Sequence, residues 1–345
     1  MSGGGAFLGG DVVLMVGLIA AAMAGEAVSV DAGVSVVGEG ITVPEPPPAL
    51  PATQADLLEE AVALRRIGAF ADAASMLANA AATPGDVPDE VAYHRGVLLE
   101  VTEQWSEAVD AYRNVTASWP DSPSAADAWF RMAYCLEEMG DHRESMKTVR
   151  KLQRRGTWSG DDERSMELQR GIAETRAGKT KRGIRRILKA LNSGTDGRSW
   201  IRAKARLALV RVQTEAAAAI VFKGDAKAAR QLTKRSKLIA SAEKQAIAMF
   251  HLGEPEFALE GLLLLGDAYV ALYDAMVEYP PPRSIPPDQR EAYRQTVAEK
   301  SAILRSKAFA RYDEGVRVAA RTQWVGSVTD RLTQARDRVR PETPE

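Results

Sequence analysis

The chain has 345 residues, 46% of them hydrophobic and 26% charged, a mixture ordinary for a globular or repeat protein. One cysteine, Cys135, excludes an internal disulfide framework and any multi-cysteine metal site. The net charge of −1 hides a segregation: residues 1–140 carry 5 Lys and Arg against 20 Asp and Glu, residues 141–240 carry 26 against 10, and the rest 14 against 16. Such a pattern either steers a charged partner or marks solvated faces that pair with neighbouring segments. In chain order, the first element is VVLMVGLIAAAMAGEA (12–27). Its apolar run is too short to span a bilayer, which takes ~20 residues. It fits the apolar region of a secretory signal, with Ala22-Met23-Ala24 as the cleavage site before Gly25. Against that stand Asp11 in the place of a basic leader and the lack of any Lys or Arg before Arg65. The expectation is a signal-like segment at 1–24 and an exported chain. Residues 25–52, ending in VPEPPPALPAT, have no helical periodicity and read as a Pro-rich disordered tether.

From residue 53 the sequence repeats. Gly68, Glu103, Gly140 and Gly178 lie 35, 37 and 38 residues apart, each between two amphipathic stretches. The first copy supplies Leu57, Ala61 and Leu64, then Phe70, Ala73, Leu77 and Ala80. The second supplies Ala92, Gly96 and Leu99, then Trp105, Ala108, Tyr112 and Pro120. The third, AADAWFRMAYCLEEMGDHRESMKTVRKL, is clearest: Trp129, Met132, Ala133 and Leu136 before the turn, Ser145, Val149 and Leu152 after it. In the fourth, RAGKTKRG (176–183) contains the Gly-Lys-Thr of a phosphate loop. The upstream glycine is Gly171, however, and no apolar strand precedes it, so the G-x-x-x-x-G-K-[ST] spacing is not met. Gly171 is instead the small residue where two helices approach, Gly178 the turn between them, and Lys179 and Thr180 the start of the next helix. Gly183, Ile187 and Ala190 complete that copy.

After residue 195 the units lengthen. Helices are expected at about 198–222 and 226–250, joined by the turn FKGD. LEGLLLLGDAYVAL then opens a further unit with Gly266 and Tyr269 in register, and its second helix holds Ala308, Tyr312 and Gly315. YPPPRSIPPDQ (279–289) between them is a loop, because prolines cannot continue a helix. A closing helix near 323–338 carries Trp324. The chain thus divides into four repeats at 53–195, longer hairpins at 196–320, and a closing helix with tail at 321–345.

Aligned on their turns, the copies resemble tetratricopeptide repeats, whose pattern runs W-x2-L-G-x2-Y, turn, A-x3-F-x2-A, Pro. The resemblance implies an all-α, right-handed α-solenoid of helical hairpins that binds proteins. The junction WPDSPSAADAWFRMAY (119–134) resembles those of bacterial envelope members of this family, including ones associated with Tol–Pal and with outer-membrane protein assembly. The C-terminal unit looks like myxobacterial envelope members, some of them in motility machinery. In this family the first helices line a concave groove. Mapped onto this chain, the groove is Leu58, Val62, Tyr93, Val97, Phe130, Tyr134, Leu168 and Ile172, edged by Glu100, Glu137 and Glu138. Such a strip suits a peptide or helix with apolar anchors and basic flanks. Two readings stand open: ligand anchors, or core packed beneath the next repeat or the C-terminal helices. The Lys and Asn of the family's carboxylate-clamp members are absent, since Tyr93, Val97, Phe130 and Tyr134 occupy those positions.

Other chemistries find less support. His94, His142 and His251 are isolated, no G-x-S-x-G or H-E-x-x-H occurs, and Cys135 falls on a first helix as a buried thiol. No catalytic residue, metal site or cofactor is therefore expected. Lys179, Arg182, Arg186 and Lys189 recur at three- and four-residue spacings on one helical face, and with Lys234, Arg235 and Lys237 they form a basic arc within 143–237. Little aromatic interleaving accompanies it, which disfavours single-stranded nucleic acid. The function expected is a non-enzymatic scaffold holding protein partners in the periplasm or at the outer membrane, with membrane association at most indirect and no feature setting the oligomeric state. The alternatives are a cytoplasmic adaptor, or a polyanion- or RNA-binding solenoid using the basic arc.

Overall fold

The computed structural model describes residues 52–156, 159–193 and 197–340; the signal-like segment, the tether up to residue 51 and the tail at 341–345 lie outside them. Among the described residues there are thirteen α-helices, one short 3-10 helix at Pro287–Gln289 and no strand. The first eight helices form four pairs: α1 (Gln54–Arg66) with α2 (Phe70–Ala82), α3 (Pro88–Val101) with α4 (Trp105–Ser118), α5 (Pro123–Glu138) with α6 (His142–Gln153), and α7 (Gly160–Arg176) with α8 (Thr180–Leu191). Two longer pairs follow, α9 (Ser199–Ala218) with α10 (Asp225–Phe250) and α11 (Pro255–Val277) with α12 (Arg290–Thr322), before α13 (Ser327–Arg338). The result is an α-solenoid.

The helix starts are set locally. Thr53 and Asp56 cap α1 reciprocally: the Thr53 hydroxyl accepts from the Asp56 N–H, and the Asp56 carboxylate accepts from the Thr53 N–H at 2.9 Å. Ser122, Asp141 and Ser159 cap α5, α6 and α7 in the simpler way. Each of the four short pairs turns at one left-handed residue. Gly68, Gly140 and Gly178 have φ of +80, +83 and +77, and Glu103 takes the same position at φ 61. The turn reverses the chain because N–H groups fold back onto the last carbonyls, as Gly140 does to Glu137 (2.9 Å) and Asp141 to Leu136 (2.8 Å). Glu103 costs about 1 kcal/mol more than glycine would there.

A second register sets how closely each pair packs. Seven residues before each turn stands a small residue: Ala61, Gly96, Ala133 and Gly171. The second helix crosses there with a bulky one, and Leu77, Tyr112, Val149 and Ile187 are each almost wholly buried. A Cβ on Gly96 would lie 2.6 Å from the Tyr112 ring, and one on Gly171 2.6 Å from Ile187. In the fourth pair Gly183 faces backbone directly, so that its Cβ would come 2.6 Å from the Gly171 carbonyl oxygen.

First helices of successive pairs pack side by side, whereas the second helices of neighbouring pairs stay apart on the outer, convex side. The curvature is tight enough for distant pairs to meet inside. Lys204 of α9 reaches Glu137 of α5 (3.2 Å), and Phe257 of α11 packs edge-on against Tyr134 of α5 at 6.4 Å between ring centroids. Val325, between α12 and α13, lies against the first turn at Gly68.

Two helix boundaries differ from expectation. α9 ends at Ala218 rather than near 222, because Phe222 leaves the helix axis to be buried against Tyr279, and Gly224 then turns the chain at φ +64. The closing helix begins at Ser327 rather than near 323. Gln323 adopts φ 54, which ends α12 and places Trp324 in the connector instead of on a helix.

Gly183→Ala is expected to lower stability by about 1–3 kcal/mol through overpacking, although Gly→Ala at an unhindered helix site stabilises by about 1 kcal/mol. Urea unfolding followed by far-ultraviolet circular dichroism checks this; an unchanged or raised midpoint contradicts the close approach.

Candidate functional site

On the concave face, α9 and α11 close over α5. Of the groove residues read from the sequence, Leu58, Val97, Phe130, Tyr134, Leu168 and Ile172 are buried, and Val62 and Tyr93 are partly buried. Phe130, Tyr134, Leu168 and Ile172 belong to one continuous core with α9 and α11, while Val97 and Leu58 belong to two smaller cores under the first pairs. The structure therefore places six of these side chains in the interior: Phe130, Tyr134, Leu168 and Ile172 in the core shared with α9 and α11, and Leu58 and Val97 beneath the first pairs.

The carboxylates expected at the rim lie deeper than expected. Glu100 and Glu137 are 1% and 2% exposed, and Glu138 alone keeps partial access to solvent. They are inside because cations reach them from helices that the repeat pattern does not pair. Arg131 of α5 bonds Glu100 (2.6 Å), whose second oxygen accepts from the Tyr112 hydroxyl (2.7 Å). The same guanidinium donates to the Tyr93 oxygen (2.7 Å), and the Tyr93 hydroxyl donates to Asp127. Asp127 pairs with Arg198 at the start of α9 (2.7 Å). Glu137 accepts from Ser145 and Gln169, both at 2.9 Å, besides its pair with Lys204. Glu138 binds Arg176 (2.7 Å) and approaches Arg211 of α9. Burial pulls Glu137 upward and Lys204 downward from their ordinary pKa values, and their mutual attraction opposes both shifts.

Lys204 and Arg131 were not singled out in the sequence. The signal for Lys204 was there, since it occupies the core stripe Ile201, Lys204, Ala205, Ala208 at helical spacing. Cys135 is fully buried, its Sγ 3.8 Å from Glu100, and burial pushes its thiol pKa far up, so it is not poised as a nucleophile. His94 is held neutral at pH 7: burial, then Arg65 and Arg131, lower its pKa to about 4. No cluster of three metal-ligating side chains occurs among the described residues.

An apolar cavity is lined by Ile67, Val316, Ala319, Trp324 and Val325, and a polar cleft lies between the first two turns, α5, α9, α11 and the connector before α13. The cleft's aromatic walls are Phe70, Trp105, Tyr134, Phe257 and Trp324; Glu100, Glu103, Glu138, Glu256 and Glu260 line it together with Arg211 and Arg331. Glu260 is neutralised by Arg211 (3.6 Å) and Arg331 (3.3 Å). Glu256 has no ion-pair partner among the described residues, and burial, reinforced by Glu100, raises its pKa to about 7 against the pull of Arg131 and Arg65.

The basic face divides. Arg186 turns inward to Glu174 (3.1 Å) and Glu167, and Arg182 reaches Glu174 (3.0 Å), because the first helix of their own pair presents those carboxylates. Lys179 and Lys189 remain exposed, as do Lys181 and Arg185 of the same helix. Lys234 and Lys237 are also exposed, but Arg235 is 5% exposed, stacked over the Phe222 ring, and so leaves the surface arc. With Arg143, Arg150 and Lys151 on α6 and Lys227 and Arg230 on α10, the exposed cations form stripes on three successive second helices.

Residues 127–155, most of α5 and all of α6, match a tetratricopeptide repeat family model. A solved tetratricopeptide repeat protein from Parabacteroides merdae is 10% identical, aligned over 83% of this chain and 98% of that one, with a TM-score of 0.37. No curated protein matches.

The raised pKa of Glu256 sets a pH dependence. Between about pH 4.5 and 7 the folded chain holds this proton and the unfolded chain has released it, so the group adds stability as pH falls through 7 and costs stability above 7. Glu256→Gln is expected to raise the unfolding free energy by about 1–3 kcal/mol at pH 8 and to change it little near pH 5. Equal effects in urea melts at both pH values contradict the assignment.

Proposed function

We propose that this chain is a non-enzymatic scaffold that holds protein partners at the bacterial cell envelope. The observation that carries the scaffold reading is the repeated hairpin with its tetratricopeptide match at 127–155, an architecture whose surfaces serve interaction with proteins. Two sequence features support the envelope: the signal-like segment at 12–27 and the junction at 119–134 that resembles envelope repeat proteins. A place in an assembly or motility complex fits the same resemblance.

Because the concave face is occupied by α9 and α11, the surfaces left for partners are the outer second helices and the open cleft. The stripes on α6, α8 and α10 fit an acidic protein surface, to which they offer exposed cations without the interleaved aromatics that stack on bases. The acidic N-terminal half balances them in net charge, which keeps the whole chain near neutrality.

In its native cells the protein is expected in the periplasmic or outer-membrane fraction, with a mature terminus between residues 25 and 28. In-cell crosslinking should give a defined protein complex that Lys181→Glu, Arg185→Glu and Lys189→Glu together weaken without loss of helicity. A cytosolic protein retaining Met1 overturns the envelope reading. Recovery of nucleic acid in place of a protein complex overturns the scaffold reading.

A further inference from the structure

We propose that the cleft between the first two turns and the C-terminal connector takes a lysine or arginine side chain on an extended segment of a protein partner, an inference that rests on the scaffold reading. The cavity has a volume of about 190 Å³, room for one long side chain. Trp105, Tyr134, Phe257 and Trp324 wall it, and aromatic faces attract ammonium and guanidinium groups through their quadrupoles. Tyr134 stands edge to face with Trp105 (5.8 Å) and with Phe257 (6.4 Å) and already carries Lys204 against its ring (3.9 Å), so the aromatic wall is preformed.

The charges in the cleft also call for a cation. Glu100, Glu138 and Glu260 are spent on Arg131, Arg176, Arg211 and Arg331. Glu103 and Glu256, which line the same cleft, have no ion-pair partner among the described residues. Burial without a counter-ion is what holds the Glu256 carboxyl near neutrality, and an incoming cation would restore its charge. The scaffold reading makes the bearer of that cation a peptide segment rather than a free amine, and Trp324 supplies one wall of the cleft.

The chain's own termini do not fit as occupants. Residues 1–51 contain no Lys or Arg and several carboxylates, and the last five residues, PETPE, are acidic as well.

The test uses the full chain and four pentapeptides, acetyl-Ala-Ala-X-Ala-Ala-amide with X as lysine, arginine, Nε-acetyl-lysine or glutamate, titrated at pH 8 by calorimetry and tryptophan fluorescence. Saturable binding of the lysine and arginine peptides is expected, with none for the other two. Glu256→Gln should weaken it roughly tenfold, as loss of a charged partner does, and Glu103→Gln, an exposed change that spares the core, should weaken it less. Trp324→Phe should weaken binding while keeping the selectivity for cations. Equal binding of the acetylated peptide, absence of saturation by any peptide, or an unchanged affinity in both glutamine variants overturns the proposal. A chain that forms its protein complex in cells yet ignores all four peptides retains the scaffold role and loses this site.

Discussion

The ion pair between Glu137 and Lys204 joins the third hairpin to the fifth across the concave face, and neither side chain retains appreciable contact with water. A carboxylate can be buried there only if a cation and hydrogen-bond donors are brought to it, because desolvating a lone charge costs several kcal/mol. Ser145 and Gln169 supply the donors, and Lys204 supplies the charge. Once α9 is fixed in this way, Arg198 falls opposite Asp127, Arg211 opposite Glu138, and α11 delivers Phe257 to Tyr134. The concave face is then closed over α5, apart from the cleft beside Glu256 and Trp324. Part of the charge segregation along the chain thereby acquires a structural meaning: Asp127, Glu137 and Glu138, before position 140, meet Arg176, Arg198, Lys204 and Arg211 after it.

The hairpins themselves could be read from the sequence because they are local. The turn at Gly178 and the close approach at Gly171 follow from spacing within some forty residues, and φ of +77 and the contact with Ile187 are their physical content. The interior role of the groove residues could not be read in the same way. Whether Phe130 and Tyr134 face solvent or α9 depends on the small rotation between successive hairpins, summed over three of them. No single window of sequence contains that sum. Lys204 shows the limit well: its position on an apolar stripe was visible, but its partner lies 67 residues away. Phe222 and Trp324 escaped for a related reason, since each leaves its helix to reach a long-range contact.

A filled concave face changes where function can reside. An open groove would recognise a ligand over many repeats; here that surface is core, and the remaining recognition elements are separate. The convex stripes are positive, while the cleft combines aromatic walls with carboxylates that lack counter-ions. Arg182 and Arg186, which the helical spacing assigned to the basic face, serve instead to pin α8 to α7 through Glu174, so that the exposed cations of α8 and its turn without an ion pair among the described residues are Lys179, Lys181, Arg185 and Lys189.

The closure over Glu137 and Lys204 is tested most directly by a double-mutant cycle in urea, with Glu137→Gln, Lys204→Met and both together. Each single change should cost about 3–5 kcal/mol, since it strands a buried charge. The double change should cost well under the sum, giving a coupling of about 2 kcal/mol or more. Additive effects, or single changes that cost nothing, would mean that the two hairpins do not meet and that the concave face is open.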